Sequence, residues 1–340
     1  MTPMTELTSP GGRRLTYLRL SVTDLCNLRC RYCMPPEGVP KLRHEDILTY
    51  EEILRLARIG AGLGLRKLRL TGGEPLVRRG LIGFINRLHQ EKLFSDIRLT
   101  TNGVLLAPLA ADLKAAGVWG LNISLDALDP KIYAEMAGLP GPAGEEMGRR
   151  AILGFQASLA AGLNTKINCV PIRGVNDGQL VTLARLALEH PVDVRFIEHM
   201  PVGLAGLWRA DRFLPAAELL DMLSRELGPL TPLEAVDPSA PARLYKPEGA
   251  PGAIGFISAL SGHFCGQCNR LRLTADGRLK PCLLTDREID LKAPLRSGAD
   301  DEFIKSLFLL AAGEKPLSHL AAHSDDPDSA VSRQMSRIGG

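Results

Sequence analysis

Aromatic residues are scarce in this chain, at 5% of 340. A nucleic-acid-binding protein usually sets aromatic side chains among clustered basic ones, so that class is disfavoured. No run of about 18 apolar residues occurs, which argues against a membrane-spanning helix. Met1–Gly12 holds neither a basic start nor an apolar core of signal-peptide length. The net charge is only +3, too small by itself to predict binding to nucleic acid or membrane. Neither partner is expected. A disulfide framework is lacking too. The seven cysteines fall as Cys26/Cys30/Cys33, a lone Cys169, and Cys265/Cys268/Cys282. An odd count in two tight triplets points instead to the reducing cytoplasm. Hydrophobic residues at 45% and charged residues at 23% make the chain globular. It is long enough for one barrel-sized domain with an extension, or for two domains.

Cys26, Cys30 and Cys33 lie within eight residues. That loop is too short for two metal sites, and three thiols cannot all pair off. The spacing suits one soft-ligand centre with a coordination position left free. An iron–sulfur cube usually takes four cysteines, so three leave one iron open to a small molecule. Structural zinc usually closes with four ligands in paired Cys-x2-Cys knuckles, which makes zinc the weaker reading. Cys-x3-Cys-x2-Cys with Tyr32 before the last cysteine resembles the signature of the radical S-adenosylmethionine superfamily.

Residues 15 to 225 repeat a strand-then-helix rhythm. The candidate strands are Tyr17–Val22, Lys67–Thr71, Ile97–Thr101, Leu121–Leu125, Lys166–Val170 and Val194–His199. Amphipathic helices are expected at Tyr50–Leu63, Ile82–Glu91, Ala107–Ala116, Arg149–Ala161 and Gln179–Glu189. The alternation predicts an α/β fold with parallel strands and right-handed crossovers. Six units make a partial (β/α)6 TIM-type barrel. Parallel strands normally read as continuous apolar runs, but these do not. Arg19, Lys67, Arg69, Asn122, Ser124 and Lys166 alternate with Leu and Ile. Side chains two apart share a face, so one face packs on helices and the other is polar and cationic. A closed barrel would fill its centre with Val, Ile and Leu. Buried unpaired cations are costly, so the interior is expected to hold a large polar anion. Beyond Thr231, Pro232–Gly252 is rich in Pro, Ala and Gly and reads as a loop or linker. A helix is expected at Phe303–Ala312.

Gly72-Gly73-Glu74-Pro75 follows a predicted strand. Glycines let backbone approach a ligand closely, and backbone groups with Glu74 would hold the amino group of a methionine moiety. Cys265 and Cys268 are followed after thirteen residues by Cys282. A second three-cysteine cluster and a Cys3His zinc site with His263 both fit that spacing. Arg270 and Arg272 share one strand face beside this triplet. Two forked guanidiniums there suit a phosphate-bearing or purine ligand.

The segment Gly255–Cys282 closely resembles the GTP 3′,8-cyclase family, and the likeness covers nearly the whole chain. Arg19-Leu-Ser-Val-Thr-Asp-Leu-Cys26, Arg69-Leu-Thr-Gly-Gly-Glu-Pro75, Asn122-Ile-Ser-Leu-Asp-Ala127, Arg195-Phe-Ile-Glu-His-Met-Pro201 and the tail Ile338-Gly-Gly340 carry it. Leu139–Glu146 looks longer than the family's loop. The resemblance implies a radical S-adenosylmethionine barrel over residues 1–230. An extension over 231–340 would close its open side and carry a second iron–sulfur cluster. Cys26, Cys30 and Cys33 would hold the [4Fe–4S] cluster that binds S-adenosylmethionine, with Tyr32, Gly72, Gly73, Glu74, Ser124 and Met200 at that cofactor. Cys265, Cys268 and Cys282 would hold a second [4Fe–4S] cluster facing the guanine. Arg19, Lys67, Arg69, Thr100, Lys166, Arg270, Leu271 and Arg272 would surround GTP, and Arg19 would assist the closing proton transfer. The implied reaction opens with a 5′-deoxyadenosyl radical that takes hydrogen from C3′ of GTP. The C3′ radical attacks C8, and one electron and one proton complete 3′,8-cyclo-7,8-dihydro-GTP, the first step of molybdenum cofactor biosynthesis. A flavodoxin- or ferredoxin-type protein, or a chemical reductant, would supply electrons. Cyclic pyranopterin monophosphate synthase would take the product. A homodimer is left open, and the Gly339–Gly340 tail would reach the site. A peptide-modifying radical enzyme with an auxiliary cluster is the alternative.

Overall fold

The computed structural model describes residues 6–202, 208–318, 331 and 333–339. Six strand-then-helix units come first. They are β1 (Tyr17–Ser21), α1 (Tyr50–Gly62), β2 (Lys67–Thr71), α2 (Leu81–Gln90), β3 (Asp96–Thr101), α3 (Ala110–Ala115), β4 (Gly120–Ser124), α4 (Pro130–Met136), α5 (Pro142–Ala160), β5 (Asn164–Cys169), α6 (Leu180–Glu189), β6 (Asp193–Ile197) and α7 (Ala216–Leu227). The extension adds β7 (Leu230–Pro232), β8 (Arg243–Pro247), β9 (Ala253–Ile257), β10 (Arg270–Leu273), β11 (Arg278–Lys280), β12 (Ile289–Asp290), α8 (Lys292–Arg296), α9 (Asp301–Gly313) and α10 (Met335–Ile338). No helix among the described residues is long and apolar enough to cross a membrane.

Local sequence explains the helix starts. The Thr49 hydroxyl accepts from Glu52 N while the Glu52 carboxylate accepts from Thr49 N, a reciprocal cap on α1. Asp129 caps α4 ahead of Pro130, and Asp300 caps α9. Behind its cap, α1 buries Ile53, Leu54, Leu56 and Ala57.

One sheet carries all twelve strands, in the order β12-β11-β10-β1-β2-β3-β4-β5-β6-β9-β8-β7. The partial barrel is as expected, and the extension grows from both of its edges. β9 runs parallel to β6, and β10 runs parallel to β1. Register places Arg19 between Arg69 and Arg272, and Tyr17 between Lys67 and Arg270. The apolar face holds Leu18, Leu20, Leu68, Leu70, Ile123, Ile167, Phe196 and Leu271, all buried in one core. Cys169 belongs to that core as well.

Two sequence expectations are corrected. The helix expected at Arg149–Ala161 starts earlier, because α5 begins at Pro142 and runs 19 residues. Proline suits a first helical turn, where its missing N–H has no partner to lose. Pro232–Gly252 is not wholly a linker either. β8 lies inside it, paired antiparallel with β9, and Tyr245 packs edge-on to Phe256.

Gly72 and Gly73 allow a close contact between loops. A Cβ on Gly73 would stand 2.4 Å from the Leu25 carbonyl oxygen, and one on Gly72 2.7 Å from that of Thr23. Gly73 N donates to Thr23 O, and Glu74 N to Leu25 O, each at 2.8 Å. The loop after β2 is thereby zipped onto the chain leading into the first cysteines. Gly73→Ala should cost about 1–3 kcal/mol through forced displacement. Gly83→Ala, at an exposed position of α2 with open space at its Cβ, should instead stabilise by about 1 kcal/mol. Urea unfolding of the two cluster-free variants checks the opposite signs.

Candidate functional site

Cys26, Cys30 and Cys33 follow β1 at the carboxyl ends of the parallel strands. Cys33 N donates to Cys30 O at 2.8 Å, and Leu28 N to Cys26 Sγ at 3.4 Å. Burial pushes the Cys26 thiol up to about 11 and the Cys33 thiol to about 12. Cys30 rises well above its ordinary value through burial, Asp126 and the other two thiols. Thiolates crowded like this repel one another and call for cationic metal. Three soft donors without a carboxylate among them fit an iron–sulfur cluster.

Beside this loop lies a small pocket, lined by Cys30, Tyr32, Asn102, Ser124, Asp126 and Tyr133 among others. The Tyr32 hydroxyl donates to Asp126 Oδ2 at 2.9 Å. Asp126 Oδ1 accepts from Val170 N at 2.8 Å, and burial lifts the Asp126 carboxyl to about 6. The Tyr133 hydroxyl is buried with no partner. A buried orphan of this kind is costly, and here it fits a polar ligand such as S-adenosylmethionine.

Glu74 is 1% exposed. Its Oε1 accepts from Thr101 Oγ1 at 2.7 Å and Leu76 N at 3.0 Å, and its Oε2 from Asn102 N at 2.6 Å. Burial nevertheless raises its carboxyl to about 7. The side chain braces the turn.

The cationic face is real but divided. Toward β3–β6, acids answer the bases. Lys166 and Arg195 both pair with Asp193, the latter at 2.8 Å. Arg98 pairs with Asp96 at 2.8 Å, and Lys67 reaches Asp96 at 3.5 Å and Asp237 at 4.0 Å. Toward β10, β1 and β2, Arg19, Arg69, Arg270 and Arg272 have no ion pair among the described residues. Arg69 donates to Tyr17 Oη and, at 3.2 Å, to Thr100 Oγ1. Arg270 donates to Ser239 O, and Arg272 to Gly339 O, each at 2.8 Å. Arg19 Nε has no partner. Burial and then Arg272 hold the Arg19 guanidinium well below its ordinary pKa. Tyr17 reports the local potential. Burial opposes ionisation, yet Arg69, Arg19 and Arg270 bring its phenol down to about 8. The side chain of Leu271 differs from those of its neighbours. Strand alternation turns it into the core at 0% exposure.

The β10–β11 hairpin assembles the second triplet. Arg272 faces Lys280, so the same register two residues on brings Cys282 opposite Arg270, beside Cys268. Cys268 N donates to Cys265 O at 3.1 Å. Burial pushes the Cys268 thiol up, but Lys315 and Arg270 pull it below its ordinary value. Burial raises Cys282 against Lys315. His263 Nδ1 lies 3.3 Å from Ala259 O. Among the described residues no three His, Cys, Asp or Glu side chains converge as ligands of a single ion.

The C-terminal segment enters the same space. Ile338 packs in a small apolar cluster with Val202 and Leu284, joined by Met200 and Cys282. The backbone of Ser336 lies beside the Cys33 thiol. Gly339, at φ +81°, fits where a Cβ would lie 2.3 Å from Thr71 Oγ1. Gly340 lies outside the described residues.

Sequence reading missed Tyr17, Arg98, Arg195, Asp96 and Asp193 as wall residues. Their faces follow from the same alternation that selected Arg19 and Lys166. It also missed Glu198, whose carboxylate accepts from Ala216 N at 3.0 Å and from Leu260 N and Ser261 N at 2.9 Å each. That brace holds the segment leading to Cys265.

Residues 20–187 match the radical SAM superfamily, and residues 192–321 match Molybdenum Cofactor Synthesis C. A GTP 3′,8-cyclase of Pelotomaculum thermopropionicum is 49% identical over 331 residues, covering 96% of this chain and 98% of its own. Those of Moorella thermoacetica and Geobacter sulfurreducens are 45% and 44% identical, covering 96% and 98% of this chain and 98% and 100% of their own. Among solved structures, Streptococcus suis SuiB bound to S-adenosylmethionine superposes with a TM-score of 0.62. It is 14% identical, covering 86% of this chain and 68% of its own, which is a likeness of fold. With nearly half its residues identical along almost its full length, the chain belongs to the GTP 3′,8-cyclase family.

Proposed function

We propose that this chain converts GTP to (8S)-3′,8-cyclo-7,8-dihydroguanosine 5′-triphosphate, the first step of molybdenum cofactor biosynthesis. It is a radical S-adenosylmethionine enzyme with a [4Fe–4S] cluster and S-adenosylmethionine as cofactors. The observation that carries the substrate is the group of four arginines without carboxylates, walled in beside both cysteine triplets. The peptide-modifying alternative is not favoured, because no feature of this wall selects a peptide over a polyanion.

Cys26, Cys30 and Cys33 would hold the cluster, with Tyr32, Ser124, Met200 and the Gly72–Gly73 backbone around the cofactor. S-Adenosylmethionine bound there supplies the 5′-deoxyadenosyl radical. Cys265, Cys268 and Cys282 would hold a second cluster. Arg19, Arg69, Arg270 and Arg272 would bind GTP by charge-assisted hydrogen bonds, with Lys67, Thr100 and Lys166 at the margin. Their enclosure keeps out water and fixes which ribose hydrogen meets the radical. Arg19, beside Arg272, is the residue we assign to assist the closing proton transfer. Electrons would come from a flavodoxin- or ferredoxin-type protein, and cyclic pyranopterin monophosphate synthase would consume the product.

Anaerobic reconstitution with iron and sulfide, then S-adenosylmethionine, strong reductant and GTP, tests the reading. 5′-Deoxyadenosine should form faster with GTP than without, and not at all in Cys26→Ser. Equal yields with and without GTP would count against the substrate. Arg272→Ala should raise the GTP KM roughly 10- to 100-fold, the worth of one hydrogen bond to a charged group.

Tyr17 offers a second check, on the cluster-free chain. Of five tyrosines, Tyr17 should ionise near pH 8, and Tyr17→Phe should remove that step. Inorganic tripolyphosphate neutralises the arginines, so it should shift the step upward. By linkage its affinity should then fall as pH rises through about 8. A midpoint unmoved by tripolyphosphate would mean the anion binds elsewhere.

A further inference from the structure

Two cations near the second triplet rest on carbonyl oxygens rather than acids. Lys315 is 3% exposed. Its ammonium donates to Arg270 O at 2.9 Å and Pro281 O at 2.8 Å. None of the described carboxylates lies within ion-pair distance of it. Arg13 donates to Cys265 O at 2.8 Å, Lys315 O at 3.2 Å and Pro316 O at 2.9 Å, with its Nε on Ser9 Oγ at 2.8 Å. Arg270 stands two residues past Cys268, and Pro281 immediately precedes Cys282. Lys315 thus staples the Cys265–Cys268 loop to the strand end bearing Cys282, and Arg13 fastens the staple to Cys265.

An ammonium buried on neutral dipoles is costly unless a negative group answers it. Three thiolates around a metal centre would be that group. We propose that Lys315, held by Arg13, is a positioning residue of the second cysteine centre, whose fixed charge gathers the thiolates and raises the reduction potential of a cluster bound there. This rests on the second-cluster reading above. Reduction adds negative charge, so a nearby cation favours the reduced form.

The test uses the full chain with Cys26, Cys30 and Cys33 changed to serine, so that every cluster signal belongs to the second centre. Lys315, Lys315→Met, Lys315→Gln and Lys315→Arg forms are reconstituted anaerobically and titrated with reductant under electron paramagnetic resonance. The parent should hold about four irons. Lys315→Met and Lys315→Gln should show a more negative midpoint potential or lose most of that iron, while Lys315→Arg keeps the iron and stays nearer the parent. The glutamine form carries the comparison if the methionine form does not fold by circular dichroism. Equal iron and equal potential in all forms overturn the proposal. Equal loss of iron in folded Lys315→Met, Lys315→Gln and Lys315→Arg also overturns it, because charge would not be the determinant. An iron-free parent overturns the second-cluster reading itself, and is recognised before Lys315 is touched.

Discussion

Positive charge that the protein leaves unanswered is the constraint behind the rest of this structure. Arg19, Arg69 and Arg272 stand side by side on hydrogen-bonded strands, with Arg270 one pleat away. Like charges so close, and out of water, repel strongly. Described partners soften this only with dipoles: a phenol, a threonine hydroxyl and two carbonyls. A barrel centre filled with aliphatic side chains would be more stable alone. This one is arranged so that stability and occupancy by a polyanion are coupled. The lowered Tyr17 phenol is that coupling expressed in a single group.

The inner face is not uniformly cationic, and the asymmetry has a consequence for recognition. Asp96 and Asp193 neutralise the bases toward β3–β6. Attraction is therefore concentrated toward β10, β1 and β2, between the cysteine triplets. A polyanion held there has one favourable end to choose. A uniform wall of cations would bind it as tightly and orient it less.

Strand alternation made much of this legible in the sequence. It separated Leu18 and Leu20 from Arg19, and Leu68 and Leu70 from Lys67 and Arg69, which is the division the sheet shows. The acids escaped for a specific reason. Asp96 and Asp193 are the first residues of β3 and β6, one position before the strands read from the apolar pattern, and strand ends carry the weakest periodic signal. The Gly72–Gly73 pair revealed permissive backbone, but no local pattern says which neighbour exploits it. That neighbour is the Thr23–Leu25 backbone. β8 was hidden by its Pro-, Ala- and Gly-rich surroundings, because its identity comes from pairing with β9 and not from its own composition. Glu198 and Lys315 are single polar residues whose roles depend on contacts distant in the chain.

The way the extension joins the barrel bears directly on the chemistry. β9 and β10 enter the same sheet, one at each edge of the six-stranded unit. The second triplet is thus placed by β10, whose register with β1 is fixed by backbone hydrogen bonds. The first triplet leaves the carboxyl end of that same β1. A loosely docked domain would let the two centres drift relative to each other by more than the reach of a hydrogen transfer. A radical abstracts whichever hydrogen it meets, so selectivity at one ribose carbon needs substrate and radical source on a single rigid frame. Adjacent strands about 5 Å apart in one hydrogen-bonded sheet supply that frame. Gly339, seated between Ser21 and Thr71 with its carbonyl on Arg272, adds the chain's own end to the wall where β10, β1 and β2 meet.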